Sequence, residues 1–176
     1  MNIRLATLSD LDAVAHLEQQ YLSDEIVDNR QLMAGQSFKQ KDLQQLIKQG
    51  WIILAEVNHQ IIGYVFVGDW KFFAQWPIYQ FIIKQLNNYQ IDFTSLSKSN
   101  SCQYGPIWIS PQYRGKGIFK QLVDKARQVS RQKYSKMVTF IAEDNQHSYF
   151  AHTQKGNWSV IDFFDYQQRD YYLLIS

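Results

Sequence analysis

The sequence predicts an α/β fold in which a mixed, twisted sheet is flanked by helices. Four apolar, β-branched runs fall into two pairs, each pair separated by a short polar turn as in an antiparallel hairpin: residues 51–57, 61–68, 158–164 and 171–175. Between the pairs, residues 104–110, 115–131 and 137–142 follow the order strand, amphipathic helix, strand. That order predicts a parallel βαβ unit, so the sheet combines both strand directions.

Three further elements are predicted before the first hairpin. Residues 3–6 form a short strand, and either Thr7 or Ser9 caps the helix that follows. Apolar residues on one face predict a second helix over residues 41–49. Gly50 can end this helix in a left-handed conformation.

The length predicts one domain, because 176 residues can bury roughly 70% of the surface that the unfolded chain exposes. Within this domain, residues 1–176, the stretch 69–100 is irregular and aromatic-rich, and we interpret it as an insertion. Additional core is the favoured role for its aromatic side chains. The alternatives are a cover over an acceptor and a contact with a partner subunit, so a homodimer stays open.

Composition narrows the class of protein. A content of 45% hydrophobic and 19% charged residues is typical of a packed globular chain. The formal charge of +2 is too small to indicate nucleic-acid or membrane binding. The lone Cys102 can form no internal disulfide, and no residues have the spacing of a metal site. With no signal-like apolar N-terminus, we expect a cytoplasmic protein.

A glycine-bracketed turn carries the strongest local signal. It reads Gln112-Tyr113-Arg114-Gly115-Lys116-Gly117, and it lies between a predicted strand and a basic helix. Glycines allow the backbone to approach a ligand, and the free N–H groups of a helix N-terminus attract anions such as a diphosphate. A P-loop is disfavoured because Ile118 follows where Lys and Ser/Thr are needed. A dinucleotide fingerprint is disfavoured because Lys120 stands where a third glycine is needed.

The turn resembles the acetyl-CoA loop of the GCN5-related N-acetyltransferase (GNAT) family, Gln/Arg-x-x-Gly-x-Gly/Ala. A second stretch also matches, with Asn145, Ser148, His152 and Gly156 in the spacing Asn-x-x-Ser-x-x-x-His-x-x-x-Gly. The resemblance extends from Ile3 to the final hairpin. It implies a mostly antiparallel sheet with a splayed central strand pair, and transfer of acetyl from acetyl-CoA to a primary amine by direct attack.

The resemblance also implies which residues bind the acyl donor. The pantetheine arm would lie along the strand before the loop, the diphosphate on main-chain N–H groups from Arg114 to Lys120, and the cofactor arm near Asn145. The implied cofactor-binding residues are Ile107, Trp108, Ile109, Gln112, Arg114, Gly115, Lys116, Gly117, Ile118, Phe119, Lys120 and Asn145.

His152 stands where many family members have tyrosine, and it is the candidate catalytic residue. An imidazolium there could protonate the departing thiolate; the alternative is a histidine that only packs on its helix. The chain departs from the family just downstream, where Asn157 separates Gly156 from the aromatic Trp158. That departure leaves the register of the following strand, and so the wall of the pocket, open.

The acceptor and the general base are left open by the sequence. Asp24, Glu25, Glu56 and Glu143 are conceivable bases, and no spacing distinguishes among them. The acceptor is a small-molecule or peptide amine, with no nucleic acid and no membrane as partner. The alternative function is a non-catalytic acyl-CoA-binding sensor or regulatory module of the same fold.

Overall fold

The computed structural model describes residues 1–26 and 38–176, with side chains for residues 1–20 and 38–176. The strands in these ranges are β1 (Asn2–Leu5), β2 (Trp51–Val57), β3 (Gln60–Gly68), β4 (Gln90–Ile91), β5 (Thr94–Ser95), β6 (Ser101–Ile109), β7 (Lys136–Ala142), β8 (Ser159–Tyr166) and β9 (Arg169–Ile175). The α-helices are α1 (Leu11–Ile26), α2 (Gln40–Gln49), α3 (Trp70–Phe73), α4 (Pro77–Gln85), α5 (Ile118–Ser130) and α6 (Gln146–Phe150).

Seven strands form one twisted sheet in the spatial order β1-β2-β3-β6-β7-β9-β8. Both hairpins are confirmed, with β2 antiparallel to β3 and β8 antiparallel to β9. The βαβ unit is confirmed as well, because β6 and β7 are parallel neighbours joined through α5. The other pairs of this sheet are antiparallel, so the prediction of a mixed, mostly antiparallel sheet is correct.

Successive side chains of each strand point to opposite faces of the sheet, so the hydrophobic core has two parts, one on each face. On one face, α1 and α2 pack through buried residues such as Val14, Leu43 and Leu46. On the other face, α5 packs through an apolar stripe that includes Leu122 and Ala126. A helix that is apolar on one side only is held mainly by this burial, at about 1.5–3 kcal/mol for each large side chain.

The aromatic insertion packs on the same face as α1 and α2. Its aromatic side chains Trp70, Phe72, Phe73, Trp76 and Tyr79 are all buried in that core. Hydrogen bonds from two ring groups help attach the insertion to the sheet. The Trp70 indole donates to Ser101 Oγ at 3.0 Å, and the Tyr89 hydroxyl donates to Asp162 Oδ2 at 2.5 Å. These side chains therefore provide additional core, as the sequence predicted.

Several element ends differ from the sequence prediction for local reasons. Thr7, and not Ser9, opens the first helical segment, a 3₁₀ turn in which the Thr7 N–H donates to the Asp10 carboxylate at 2.8 Å. Gly50 is not left-handed, with φ −128°. Glycine is required there because a Cβ would lie 2.7 Å from the Val67 carbonyl oxygen.

The short helix α3, the β4–β5 hairpin and the π-helical form of the turn before Gly156 were not predicted from the sequence. The two-residue strands β4 and β5 form a small separate hairpin inside the insertion. The helix that begins with α6 continues as a π-helical turn, Ala151–Lys155, before Gly156 ends it. A Cβ at Gly156 would lie 2.8 Å from the His152 carbonyl oxygen, so this close approach explains the glycine. Within the described ranges, no helix is long and apolar enough to cross a membrane.

The parallel pair β6 and β7 separates after three residues. The paired positions end at Gln103 opposite Val138, whereas β6 continues beside β3 to Ile109 and β7 continues beside β9 to Ala142. Gly105, at φ +106°, and Pro106, which has no N–H to donate, follow immediately in β6. The splayed central pair implied by the sequence is therefore present, and we call the space between β6 and β7 beyond Gln103 the strand gap.

Candidate functional site

The loop between β6 and α5 presents a row of main-chain N–H groups. Gly115 and Gly117 have φ of +76° and +77°, and Gly117 is the N-cap of α5. Residues of alternating handedness turn successive N–H groups toward one point, and the first N–H groups of a helix have no partner within it. The first main-chain N–H of α5 that donates a hydrogen bond to the loop belongs to Gln121, and its acceptor is the Gly117 carbonyl.

The start of this loop is fixed to the strand. Arg114 N–H donates to the Pro111 carbonyl at 3.2 Å, so it is occupied, and the free donors begin at Gly115 instead of Arg114. The Arg114 side chain folds back, and its Nε donates to the Ile109 carbonyl at 3.0 Å. Gln112 lies exposed in the preceding 3₁₀ turn, Pro111–Tyr113. These bonds hold the glycines at the open end of the strand gap.

Lysines surround the loop without covering it. Lys116 is exposed, and its Nζ lies 5.0 Å from the centre of the Tyr113 ring. Lys120 is exposed and forms an ion pair with Asp124 at 2.6 Å. Exposed charges of this kind contribute little to stability. They add to the positive potential of the α5 N-terminus, where an anion would be attracted.

The β6 wall of the strand gap has main-chain groups available for a ligand. Ser110 N–H donates to the Ile62 carbonyl of β3, and Trp108 lies opposite Tyr64 of the same strand. Because alternate residues of a strand face the same neighbour, Trp108 bonds toward β3, while Ile107 and Ile109 face the gap. The main chain of Ile107 and the N–H of Ile109 can therefore bind an extended chain.

Asn145 stands at the other wall, three residues after β7 ends. Its Oδ1 accepts from Ser148 N–H at 3.1 Å and caps α6, and its own N–H donates to the Ala142 carbonyl. The residue is exposed. The cap uses the amide oxygen, so the amide nitrogen is the group that could contact a ligand in the gap.

His152 lies on the π-helical turn and is 2% exposed. Its Nδ1 is 2.8 Å from the Ser148 carbonyl oxygen, which assigns the proton to Nδ1 and leaves Nε2 as an acceptor. Burial lowers the pKa of His152 to about 4, although the Ser148 carbonyl raises it in part. The imidazole is therefore neutral at pH 7, and this pKa disfavours an imidazolium acid.

Comparison with known proteins identifies this arrangement. The sequence model of the acetyltransferase (GNAT) family matches residues 17–156. The chain belongs to the GNAT acetyltransferase family. It is accordingly an acyltransferase, with acetyl-CoA as acyl donor. No curated protein sequence matches the chain.

Solved structures share the fold of this GNAT protein. A ribosomal-protein-alanine N-acetyltransferase from Brucella melitensis is similar with a TM-score of 0.65 and 16% identity, covering 100% of this chain and 99% of that one. The Salmonella typhimurium protein yncA, solved with its cofactor acetyl-CoA, gives 0.64 and 17%, covering 100% and 92%. Arabidopsis thaliana Naa50, in complex with the bisubstrate analogue CoA-Ac-MVNAL, gives 0.62 and 11%, covering 99% and 97%.

The GNAT chain accommodates the extra residue after Gly156 before β8 begins. Asn157 adopts a left-handed conformation with φ +56°, which returns Trp158 to the interior. Trp158 is 4% exposed, and its main-chain N–H donates to the His152 carbonyl at 3.2 Å. Asparagine tolerates this conformation better than most residues. Trp158 thus reaches the interior two residues after Gly156, and the β8–β9 register shifts further along, between Val160 and Asp162.

Tyr104 is a site residue that sequence reasoning missed. It is fully buried, and its ring lies 5.7 Å from His152 and 4.8 Å from Trp158 between centroids. Burial raises the pKa of the Tyr104 hydroxyl, and the Arg127 guanidinium of α5 lowers it in part. The available signal was its place directly before Gly105 and Pro106, where a buried strand is interrupted.

The opposite face of the sheet holds a buried carboxylate that was also missed. Glu18 of α1 is 1% exposed and accepts a hydrogen bond from the Tyr64 hydroxyl. The Tyr64 ring stacks on Trp108 at 5.7 Å, so this pair adjoins the splayed strand. Helical periodicity alone places Glu18 beside Val14, and that was the available signal.

Of the four conceivable bases, the structure describes the side chains of Glu56 and Glu143. Glu56 is paired with Arg4 at 2.6 Å, and Glu143 is exposed after β7. The side chains of Asp24 and Glu25 lie outside the described part of the chain. Among the described residues, no group of three or more His, Cys, Asp or Glu side chains could hold a metal ion.

Proposed function

We propose that this GNAT protein transfers the acetyl group of acetyl-CoA to a primary amine of a small molecule or peptide by direct attack. The observation that carries the proposal is the position of the loop amides at the open end of the strand gap. Gly115 and Gly117 shape an anion site, and Ile107 and Ile109 offer strand-like hydrogen bonds beside it. A diphosphate joined to an extended amide-containing arm matches both parts.

Each residue of the proposed site has a defined role. The N–H groups from Gly115 to Lys120 bind the diphosphate, and Arg114, Lys116 and Lys120 supply positive charge around it. Gln112 positions the turn, and Ile118 and Phe119 form the first turn of α5. Ile107 and Ile109 bind the pantetheine arm, Asn145 contacts it from the β7 side, and Trp108 supports the wall through its pairing with β3.

The reaction balances without a metal or redox partner. A neutral amine attacks the thioester carbonyl, a C–N bond forms, and the C–S bond breaks with its electron pair on sulfur. The proton released by nitrogen ends on sulfur as the CoA thiol. Main-chain N–H groups of β6 that face the strand gap stabilise the oxyanion. His152 lies at the leaving-group end, and its predicted role as proton donor requires an imidazolium that its environment disfavours.

Calorimetric titration with acetyl-CoA tests the donor site. The double variant Gly115→Val/Gly117→Val should lose at least about tenfold in affinity, because a β-branched residue at positive φ displaces the loop. Asn58→Val is the matched control, since Asn58 also has positive φ, +50°, but lies in the β2–β3 turn. Unchanged affinity in the double variant would refute the loop site.

Thiol release tests transfer itself. A panel of polyamines, amino acids, aminoglycosides and peptide N-termini should contain at least one amine that accelerates CoA release from acetyl-CoA. Binding of acetyl-CoA without turnover for any amine in the panel would favour the non-catalytic acyl-CoA sensor. A mass increase of the accepting amine by one acetyl group identifies the product.

A further inference from the structure

Three buried polar atoms in one aromatic cluster have no hydrogen-bond partner among the described residues. They are the Tyr104 hydroxyl, His152 Nε2 and Trp158 Nε1. The ring centroids are 4.8 to 5.7 Å apart, and we call these three residues the aromatic triad. One buried, unsatisfied polar group costs about 1–3 kcal/mol, so three in one cluster indicate a site completed by a polar guest.

The aromatic triad lies at the closed end of the strand gap. Tyr104 is the first residue of β6 after the last paired position, Gln103 with Val138. The Phe119 ring, in the first turn of α5, contacts the His152 ring with centroids 4.9 Å apart. An extended ligand bound by its diphosphate at the α5 N-terminus and running down the gap therefore ends at these residues.

The hydrogen-bonding capacity of the triad suits a thiol. Trp158 Nε1 can only donate, the Tyr104 hydroxyl can donate, and His152 Nε2 is an acceptor because Nδ1 is bound to the Ser148 carbonyl. A thioester sulfur is a weak acceptor, whereas a thiolate is a strong one. Donors that bind the sulfur more strongly after the C–S bond breaks lower the barrier to its departure.

We propose that Tyr104 is a catalytic residue whose hydroxyl donates a hydrogen bond to the departing sulfur of CoA, while His152 Nε2 accepts the S–H of the product thiol. The inference rests on the proposed function. Tyr104 and His152 keep their own protons throughout, and the proton gained by sulfur comes from the amine. The charged group that faces Tyr104 from α5 is Arg127, whose Nε donates to Ser176 Oγ at 2.6 Å.

A binding cycle with CoA and desulfo-CoA tests this role without turnover. At pH 9, where a larger fraction of the CoA thiol is ionised than at pH 7, the wild-type protein should bind CoA about tenfold more tightly than desulfo-CoA. Tyr104→Phe removes one oxygen and should reduce that preference to about twofold or less, with the affinity for desulfo-CoA unchanged. Tyr134→Phe, a change at another buried tyrosine at the far end of α5, should keep the full preference.

The outcomes separate the inference from the proposed function. If neither ligand binds the wild-type protein, the proposed function fails. If both bind and Tyr104→Phe keeps the tenfold preference, the triad holds a water molecule or nothing, and the role of Tyr104 is refuted. The wild-type protein alone gives a second test, which applies even if the variant does not fold. Its preference for CoA should rise from pH 7 to pH 9, and a flat or falling preference overturns the inference.

Discussion

Acidification should destabilise the protein through His152 in a defined pH window. The folded-state pKa of about 4 lies below the ordinary value of 6.5, so the unfolded chain binds a proton that the folded chain excludes. The stabilisation is complete above pH 6.5 and is lost as the pH falls through 4. For these two pKa values, linkage gives a loss of about 2.5 kcal/mol at pH 4.5 relative to pH 7.5.

Urea denaturation followed by tryptophan fluorescence measures this loss. The comparison is between the wild-type protein and His152→Gln, each at pH 7.5 and pH 4.5. The variant should lose about 2.5 kcal/mol less than the wild-type protein over this interval, whatever its stability at neutral pH. His147→Gln is the matched control because His147 is exposed on α6. Equal losses in wild type and His152→Gln would show that His152 titrates normally, and an imidazolium acid would again be tenable.

Three further changes test contacts that hold the site and the insertion in place. Arg127→Met should lower the free energy of unfolding by about 2 kcal/mol in urea denaturation, because the Gly156 and Asn157 carbonyls lose their donor. A decrease of less than about 0.5 kcal/mol would contradict this. Tyr89→Phe should cost about 1 kcal/mol through the lost bond to Asp162, measured in the same way, and a neutral result would show that the bond does not anchor the insertion. Arg4→Met should raise the pKa of Asp10 from about 2 toward 3.8 in an NMR titration, because the guanidinium bond is the largest cause of the depression; an unchanged value would exclude that cause.

The sequence was sufficient for the fold because each long element carries its own periodicity. The α5 helix shows an apolar stripe, and the β2–β3 hairpin shows two β-branched runs around Asn58 and His59, both left-handed in the turn. These signals depend on residues close together in the chain. The strands β4 and β5 escaped because two-residue strands are too short to show any alternation.

The chemistry of the site was less accessible because it depends on residues distant in sequence. Spacing singled out His152, but its burial follows from Phe119 of α5, Tyr104 of β6 and Trp158 just before β8. Burial, and not the residue type, determines the charge state of the imidazole. Gly50 shows the same limit, since a distant carbonyl explains this glycine better than its place at a helix end.

The short pairing between β6 and β7 links the binding of acetyl-CoA to the chemistry at its sulfur. Because pairing with β7 stops at Gln103, the main chain of Ile107 has no neighbouring strand on the β7 side, and Tyr104 lies at the point of separation. The β6–β7 pairing ends before Pro106, so within this part of β6 the gap side of the wall is left to a ligand. A guest that supplies strand-like hydrogen bonds satisfies the wall and brings its terminal atom to the buried hydroxyl. Affinity for the arm and placement of the sulfur are thus two consequences of the same interruption in β6.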